Sequence, residues 1–162
     1  MSSLRIGHGY DVHKLVEGRR LILGGVDIEY ERGLLGHSDA DVVVHALADA
    51  ILGAMRGGDI GKLFPDTDPR YKDADSLVLL RHVMEYAREQ GFELVDCDCT
   101  IACQAPKLSP HRDAMRTNIA RALDVDVECV GLKATTTEKL GFVGQGEGIA
   151  AWAVCLLERC CQ

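Results

Sequence analysis

Residues 42–52 read Val-Val-Val-His-Ala-Leu-Ala-Asp-Ala-Ile-Leu, and this stretch decides the fold. A surface helix carries its apolar residues in one stripe, whereas here they occur almost all round the helical circumference. The pattern therefore predicts a helix over residues 39–53 that is buried on most of its sides. Such a helix needs other layers of structure to cover it.

Alternating and helical patterns on both sides of this helix predict those layers. Strands are predicted over residues 4–13, 20–23, 26–30, 92–103, 127–136 and 149–157. Two further helices are predicted over residues 75–90 and 109–123, the second with Ser109 as its N-cap. We expect a single α+β domain over residues 1–162, with a mainly four-stranded sheet and helices on one face, in a ferredoxin-like arrangement.

Composition and charge exclude several classes of protein. The chain carries 18 basic and 25 acidic side chains, and its net charge of −7 excludes a generic nucleic-acid coat. Its apolar runs are far shorter than the ~18 residues of a membrane span. No secretory signal pattern opens the sequence, so we expect a cytoplasmic protein. Seven cysteines without C-x-x-C spacing favour reduced thiols, with a metal site at Cys97 and Cys99 as the alternative.

Three side chains form a candidate metal site. Asp11 and His13 lie two residues apart on the first predicted strand, so both point to the same face. His45 lies in the buried helix, where an imidazole needs a partner. Asp, His and His are a credible set of three protein ligands for zinc, with the fourth position open to water or substrate. The alternatives are a hydrogen-bonded core histidine and a solvated strand end.

Residues 36–41, Gly-His-Ser-Asp-Ala-Asp, precede the buried helix and have two compatible interpretations. Ser38 as N-cap, with Asp41 three residues later, would form a capping box. The same helix N-terminus could receive a phosphate, which His37 would face. The Gly/Asp/Pro-rich loop over residues 57–71 could hydrogen-bond a sugar or polyol, or could be a solvated turn.

Residues 133–148 combine three threonines, two lysines and a glycine-rich stretch, which resembles a phosphate cradle. They form neither a Walker A loop nor a dinucleotide fingerprint, and we expect no helix after them. A strand-to-strand loop is the alternative interpretation. Glu138 could hold Mg²⁺ together with diphosphate oxygens. The motifs of serine and cysteine hydrolases are absent from the sequence.

Five segments in order resemble the 2-C-methyl-D-erythritol 2,4-cyclodiphosphate synthase family from end to end. They are residues 5–13 (Arg-Ile-Gly-His-Gly-Tyr-Asp-Val-His), 36–41 with His45, 58–66, 104–107 (Gln-Ala-Pro-Lys) and 133–142. The resemblance implies an enzyme of the non-mevalonate route to isoprenoids, a homotrimer with active sites between subunits. It implies conversion of 4-diphosphocytidyl-2-C-methyl-D-erythritol 2-phosphate to the 2,4-cyclodiphosphate with release of CMP. The implied class is a metal-dependent phosphorus–oxygen lyase.

The same resemblance implies roles for individual residues. Asp11, His13 and His45 match ligands of zinc or another divalent transition metal, and Glu138 matches a ligand of Mg²⁺ or Mn²⁺. His37 and Thr136 match residues assigned to transition-state stabilisation. The positions matching substrate contacts are Asp11, Val12, His13, His37, Ser38, Asp59, Ile60, Gly61, Phe64, Pro65, Asp66, Thr67, Asp68, Cys103, Gln104, Ala105, Pro106, Lys107, Leu108, Ser109, Thr135, Thr136, Thr137, Glu138, Phe142 and Gln145.

Gln145 departs from the family pattern, because many relatives carry arginine at this position. That arginine is associated with a cavity on the trimer axis that can hold an isoprenoid diphosphate. Glutamine cannot supply the charge, so we expect weak or absent binding of such ligands.

Two other functions stay open at this point. One is a metal-dependent phosphodiesterase that uses a bound water as nucleophile. The other is a non-catalytic trimer with a structural zinc. A structural zinc usually has four protein ligands, and the sequence offers three convincing ones.

Overall fold

A computed structural model of the chain describes residues 3–65, 67, 69 and 72–160. Its strands are β1 (Leu4–Val16), β2 (Leu21–Leu23), β3 (Val26–Ile28), β4 (Gly33–Leu34), β5 (Phe92–Ala102), β6 (Val130–Thr135) and β7 (Gly148–Arg159). Its α-helices are α1 (Val42–Met55), α2 (Ile60–Leu63), α3 (Ser76–Glu89), α4 (Arg112–Leu123) and α5 (Gly141–Gly144). None of the helices in the described part of the chain is both long and apolar enough to cross a membrane.

The sheet is mixed and has five strands, in the order β4-β1-β7-β5-β6. The four long strands were predicted, whereas β4 has only two residues and was missed. β5 and β6 pair in parallel because α4 crosses over between them, and the other pairs are antiparallel. The ferredoxin-like expectation is therefore wrong, since that fold requires the order β-α-β-β-α-β. β2 and β3 form a separate hairpin.

Helix α1 lies at the centre of the core, as its sequence predicts. Ten of its residues are buried, and it packs directly on β1. The close approach depends on Gly7 and Gly9, where a Cβ would lie 1.8 Å from the carbonyl oxygens of Ala50 and Ala46. This packing places His45, one turn into the helix, beside the β1 side chains that face it.

The other face of the sheet is largely apolar, and within the described residues the four-residue α5 packs on one end of it, where Val143 contacts Ala102 and Ala150. Its large side chains are Leu4 (44% exposed), Ile6 (70%), Tyr10 (44%), Val12 (41%), Trp152 (39%) and Val154 (41%). Tyr10 pairs with Trp152 across β1 and β7, with ring centroids 5.2 Å apart. We call these six residues the apolar sheet face. The expectation of helices on one face of the sheet therefore holds for the long helices and not for α5.

Three local predictions differ from the structure. The N-cap of α1 is Asp41, whose carboxylate accepts from the amide of Val44, so the capping box at Ser38 is wrong. Ser38 instead closes a turn by accepting from Ala40. Ser109 begins a short 3₁₀ turn that runs into α4 without a side-chain cap. The glycine-rich segment after residue 140 does contain a helix, the four-residue α5.

Candidate active site

Asp11, His13 and His45 come together as the sequence predicts. The Asp11 Oδ2 lies 3.0 Å from His13 Nε2 and 3.1 Å from His45 Nδ1, and the two nitrogens are 3.3 Å apart. Ligands of a tetrahedral zinc with bonds of about 2.0–2.1 Å lie about 3.3 Å from one another. The triangle therefore fits three ligands of one divalent ion with a fourth position open. It is the sole group of three or more metal-binding side chains in the described residues, so Cys97 and Cys99 form no such group there.

Hydrogen bonds determine which ring nitrogen each histidine directs to the middle of the Asp11, His13 and His45 triangle. His13 Nδ1 lies 2.8 Å from the Leu35 carbonyl oxygen, which only accepts, so Nδ1 carries the proton and Nε2 is free to bind. His45 is reversed: its Nε2 lies 2.9 Å from Ser76 Oγ and 3.2 Å from Ser38 Oγ, which leaves Nδ1 to bind. Partners of this kind orient metal-binding histidines.

The Ser76 hydroxyl connects His45 to a second carboxylate. It donates to Asp39 Oδ1 in a short hydrogen bond, so its oxygen accepts from His45 Nε2. The other oxygen of Asp39 accepts from the Ser76 amide at 3.0 Å. Asp39 and Ser76 thus hold the ring of His45 in one tautomer. Sequence analysis missed Ser76, because it lies 31 residues from His45 and belongs to no motif.

The electrostatics of the triad favour an ionised carboxylate. Burial alone would raise the pKa of Asp11, but hydrogen bonds and charge from His13 and His45 hold it well below its usual range. Burial lowers the pKa of His45, and the hydrogen bond and charge of Asp11 outweigh it, so that the pKa is raised. Asp11 is therefore an anionic ligand across the neutral range.

Asp41 fixes the start of α1 to the β2–β3 hairpin. Its side chain is fully buried and accepts from the amides of Gly24 at 3.0 Å, Gly25 at 2.7 Å and Val44 at 3.2 Å. Burial and the neighbouring Asp39 raise its pKa to about 6, against the effect of these three donors. Its role is structural: it positions the segment that leads to His37 and Ser38.

A cavity of about 300 Å³ opens above the triad. His37, Ser38, Ile60, Gly61 and Phe64 line it with the three metal-binding side chains. Asp49 also lines it and was missed by sequence analysis; its carboxylate accepts from the Ile60 amide at 2.7 Å and so anchors α2.

The substrate-contact residues expected in the Gly/Asp/Pro-rich loop over residues 57–71 do not all lie in the cavity. Asp59 caps α2 by accepting from the Lys62 amide at 3.0 Å, so it points along the helix. Pro65 and Thr67 follow α2 as exposed residues. The expectations for Asp66 and Asp68 lie outside the described residues. Val12 is on the opposite face of β1, and only its amide reaches the site, donating to Asp11 Oδ1.

A second cavity, of about 490 Å³, lies where β5 and β6 end. Its lining includes the predicted positions Cys103, Gln104, Pro106, Lys107, Leu108, Ser109, Thr135 and Thr136. Lys133 and Ala134, from the predicted phosphate cradle, also line it, together with Arg112 and Leu132, which sequence analysis missed. The Cys103 amide donates to the Thr135 carbonyl at 2.9 Å, and this bond joins the two walls. Burial raises the pKa of the Cys103 thiol to about 11, so it is neutral here.

Thr136, Thr137, Glu138 and Gln145 form a compact turn beside the second cavity. The Thr136 hydroxyl donates to Glu138 Oε1 at 3.2 Å, and Glu138 has a positive φ of 54°. Gln145 donates to the Lys139 carbonyl at 2.9 Å, and Thr137 donates to that of Leu140 at 2.7 Å. Phe142, in α5, is 42% exposed. Glu138 does not join the Asp11 cluster within the described part of one chain.

Among the residues that the structure describes, the two cavities share no lining residue. The first lies over β1 and α1, and the second lies at β5 and β6. β1 and β6 are separated by β7 and β5, which places them about 14 Å apart at the usual strand spacing. One chain therefore does not bring the metal-binding triad and the second cavity into a single site.

Comparisons with known proteins agree over nearly the whole chain. The YgbB family profile matches residues 4–158. The 2-C-methyl-D-erythritol 2,4-cyclodiphosphate synthase of Geotalea uraniireducens is 67% identical over 156 residues, which cover 96% of this chain and 99% of that protein.

Solved structures give the same result. The bifunctional IspDF of Campylobacter jejuni matches with a TM-score of 0.93 and 48% identity, over 96% of this chain and 42% of that longer chain. The CDP complex of IspF from Plasmodium falciparum matches with a TM-score of 0.86 and 34% identity, over 99% of both chains. Because the family profile and full-length relatives agree, the chain belongs to the YgbB family, whose curated relatives carry the name 2-C-methyl-D-erythritol 2,4-cyclodiphosphate synthase.

Proposed function

We propose that the chain converts 4-diphosphocytidyl-2-C-methyl-D-erythritol 2-phosphate to 2-C-methyl-D-erythritol 2,4-cyclodiphosphate and releases CMP. The observation that carries the proposal is the triangle of Asp11, His13 and His45 at the base of a cavity, in a chain 67% identical to a synthase of this name. In this reaction the 2-phosphate attacks the β-phosphorus of the cytidine diphosphate, and CMP is the leaving group. The whole chain acts as one catalytic unit.

The nucleophile explains why the site needs no catalytic serine or cysteine. A substrate phosphate oxygen is already an anion, so the protein has only to position the two phosphates and reduce their repulsion. Zn²⁺ on Asp11, His13 and His45, and Mg²⁺ or Mn²⁺ on Glu138, would supply positive charge to the phosphate oxygens.

The chain's own residues supply the positioning. Ser38 and His37 line the first cavity and contact the phosphate and erythritol end of the substrate. Gln104, Lys107 and neighbouring backbone groups of the second cavity hold the cytidine. The solved CDP complex of the Plasmodium falciparum relative supports a cytidine nucleotide as ligand. His37 and Thr136 donate to phosphate oxygens as charge develops in the transition state.

A homotrimer brings the two cavities together. Six large apolar side chains, exposed on a sheet face that no long helix covers, are typical of an interface between protein chains. A neighbouring copy packed against the apolar sheet face would place its second cavity near the first cavity of this chain. The number of copies, three, comes from the resemblance, and the separation of the cavities within one chain supports a shared site.

Light scattering after gel filtration tests the assembly. We expect a particle of three times the 17.6 kDa chain mass. Val154→Lys places a charge on the apolar sheet face and should give monomers. Val78→Lys is the matched control, because Val78 is similarly exposed, at 38%, on the helical side. A monomeric wild type, or a Val154→Lys variant that still forms trimers, would contradict the arrangement.

A ³¹P NMR time course with the substrate, Zn²⁺ and Mg²⁺ tests the reaction. We expect the coupled signals of a cyclic diphosphate to appear together with CMP. A linear product would indicate a phosphodiesterase, and no turnover by folded, zinc-loaded protein would favour a binding protein. His45→Ala should abolish turnover, whereas His111→Ala should not, because His111 lines neither cavity.

A further inference from the structure

A third cavity, of about 370 Å³, lies at the opposite end of the sheet from the metal-binding triad. Its lining residues come from the ends of β1, α1, α3, β5 and β7, and they are Arg5, Met55, Arg56, Gly57, Tyr86, Gln90, Phe92 and Arg159. Three of these eight described residues are arginines. We call this cavity the arginine pocket.

The arginine pocket is separate from the proposed active site. Arg5 precedes Asp11 by six residues on β1, which corresponds to about 20 Å along an extended strand. Arg5 and Asp11 both lie on the helix-facing side of the sheet. Each is next along β1 to a side chain that points outward, Ile6 beside Arg5 and Tyr10 beside Asp11. A partner packed on the apolar sheet face would therefore leave the pocket open.

Positive side chains prevail around the arginine pocket, although the chain as a whole has a net charge of −7. Among the described residues, none that lines the pocket is acidic. Within the described part of the chain, Arg56 and Arg159 have no carboxylate at ion-pair distance, in contrast to Arg20, which lies 2.6 Å from Asp27. Glu158 alternates with Arg159 along β7 and points to the other face.

Two helix ends oppose this positive charge but do not cancel it. α1 ends at Arg56 and α3 ends at Gln90, and each C-terminus carries roughly half a negative charge. Arg56 and Arg159 against these two ends leave a net charge of roughly +1. Arg56 itself donates to the Gly53 carbonyl of α1 at 2.9 Å.

Arg56 also retains donors for a ligand. A guanidinium group has five N–H donors, and Arg56 commits one of them to Gly53. The Arg159 group lies over the ring of Phe92, 5.3 Å from its centroid, which holds it at the pocket wall. The hydroxyl of Tyr86 and the amide of Gln90 add neutral donors.

We propose that the arginine pocket binds the diphosphate group of a small organic anion. Guanidinium groups match phosphate oxygens in paired hydrogen bonds, and three from different elements can surround one diphosphate. The volume is at the lower end of the range for small-molecule sites, which fits a small metabolite and not a polymer. This site is independent of the proposed cyclisation and is remote from it.

An NMR titration with inorganic diphosphate tests the proposal site by site. The ¹H–¹⁵N signals of Gly57 and Gln90 report on the arginine pocket, whereas those of Gly36 and Gly61 report on the metal-binding cavity. We expect saturable shifts at Gly57 and Gln90 in the full-length protein. Arg56→Gln and Arg159→Gln should each weaken this binding at least tenfold, whereas Arg81→Gln, an exposed arginine elsewhere on α3, should not.

Three outcomes would overturn the proposal. The first is no saturable shift at Gly57 and Gln90 at millimolar diphosphate. The second is the same shift with potassium chloride at equal ionic strength. The third is unchanged diphosphate affinity in a folded Arg56→Gln variant with a lower melting temperature, which would assign Arg56 to the end of α1 alone. Both pocket variants should keep wild-type turnover, so failure here is distinguishable from failure of the proposed reaction.

Discussion

Replacing Ser76 with alanine should weaken zinc binding although Ser76 is not a ligand. The substitution removes the hydroxyl that lies 2.9 Å from His45 Nε2 and donates to Asp39. Without it, nothing from Asp39 fixes the proton on Nε2, and the ring can present the wrong nitrogen to the metal. The Ser38 hydroxyl stays 3.2 Å away and can replace the lost contact in part.

The expected loss of zinc affinity follows from the contacts of His45 with Ser76 and Ser38. Loss of a partner that orients a metal-binding histidine typically costs 10–100-fold in metal affinity, or about 1.4–2.7 kcal/mol. Because Ser38 remains, Ser76→Ala should lie at the lower end, about tenfold. The double variant Ser38→Ala/Ser76→Ala removes both hydroxyls and should approach a hundredfold.

Competition with a chromophoric zinc chelator measures these affinities directly. Ser109→Ala makes the same change in the second cavity and is the matched control. Thermal unfolding of the zinc-free variants separates loss of binding from loss of folding. If the double variant, still folded, bound zinc as tightly as the wild type, the hydroxyls would have no part in setting the tautomer of His45.

Three further predictions follow from packing, pKa and charge. Gly9→Ala should cost about 3 kcal/mol or more in urea unfolding, because its Cβ would lie 1.8 Å from the Ala46 oxygen, whereas Gly53→Ala, with 3.8 Å of space, should not destabilise. Burial raises the pKa of the Cys99 thiol from 9.0 to about 12, so the unfolded thiol ionises first and stability should fall as pH rises above 9. Urea unfolding of Cys99→Ala should show a slope shallower by about 1.4 kcal/mol per pH unit, and an equal slope would contradict this. In calorimetry of the Arg56→Gln variant, which weakens the arginine pocket, farnesyl diphosphate should not bind at low micromolar concentration, because Gln145 carries no charge.

Much of the candidate site could be predicted from the sequence because its residues stand at short, regular spacings. Asp11 and His13 share a face of β1 through strand alternation alone, and the all-apolar pattern around His45 required a buried helix. The resemblance then linked the five segments. The boundaries of the long elements followed from the same periodicities to within a few residues.

The sequence alone therefore determined the central helix, the four long strands and the three metal-binding side chains, since each depends on local spacing. Only the tertiary structure decided what depends on residues far apart in the chain. It placed Ser76 and Asp39 on His45, made Asp41 the cap of α1, and gathered three arginines around one pocket. It also set β5 parallel to β6, and it left the metal-binding triad and the second cavity apart within one chain. These features arise from packing between distant segments, which no periodicity of a single segment encodes.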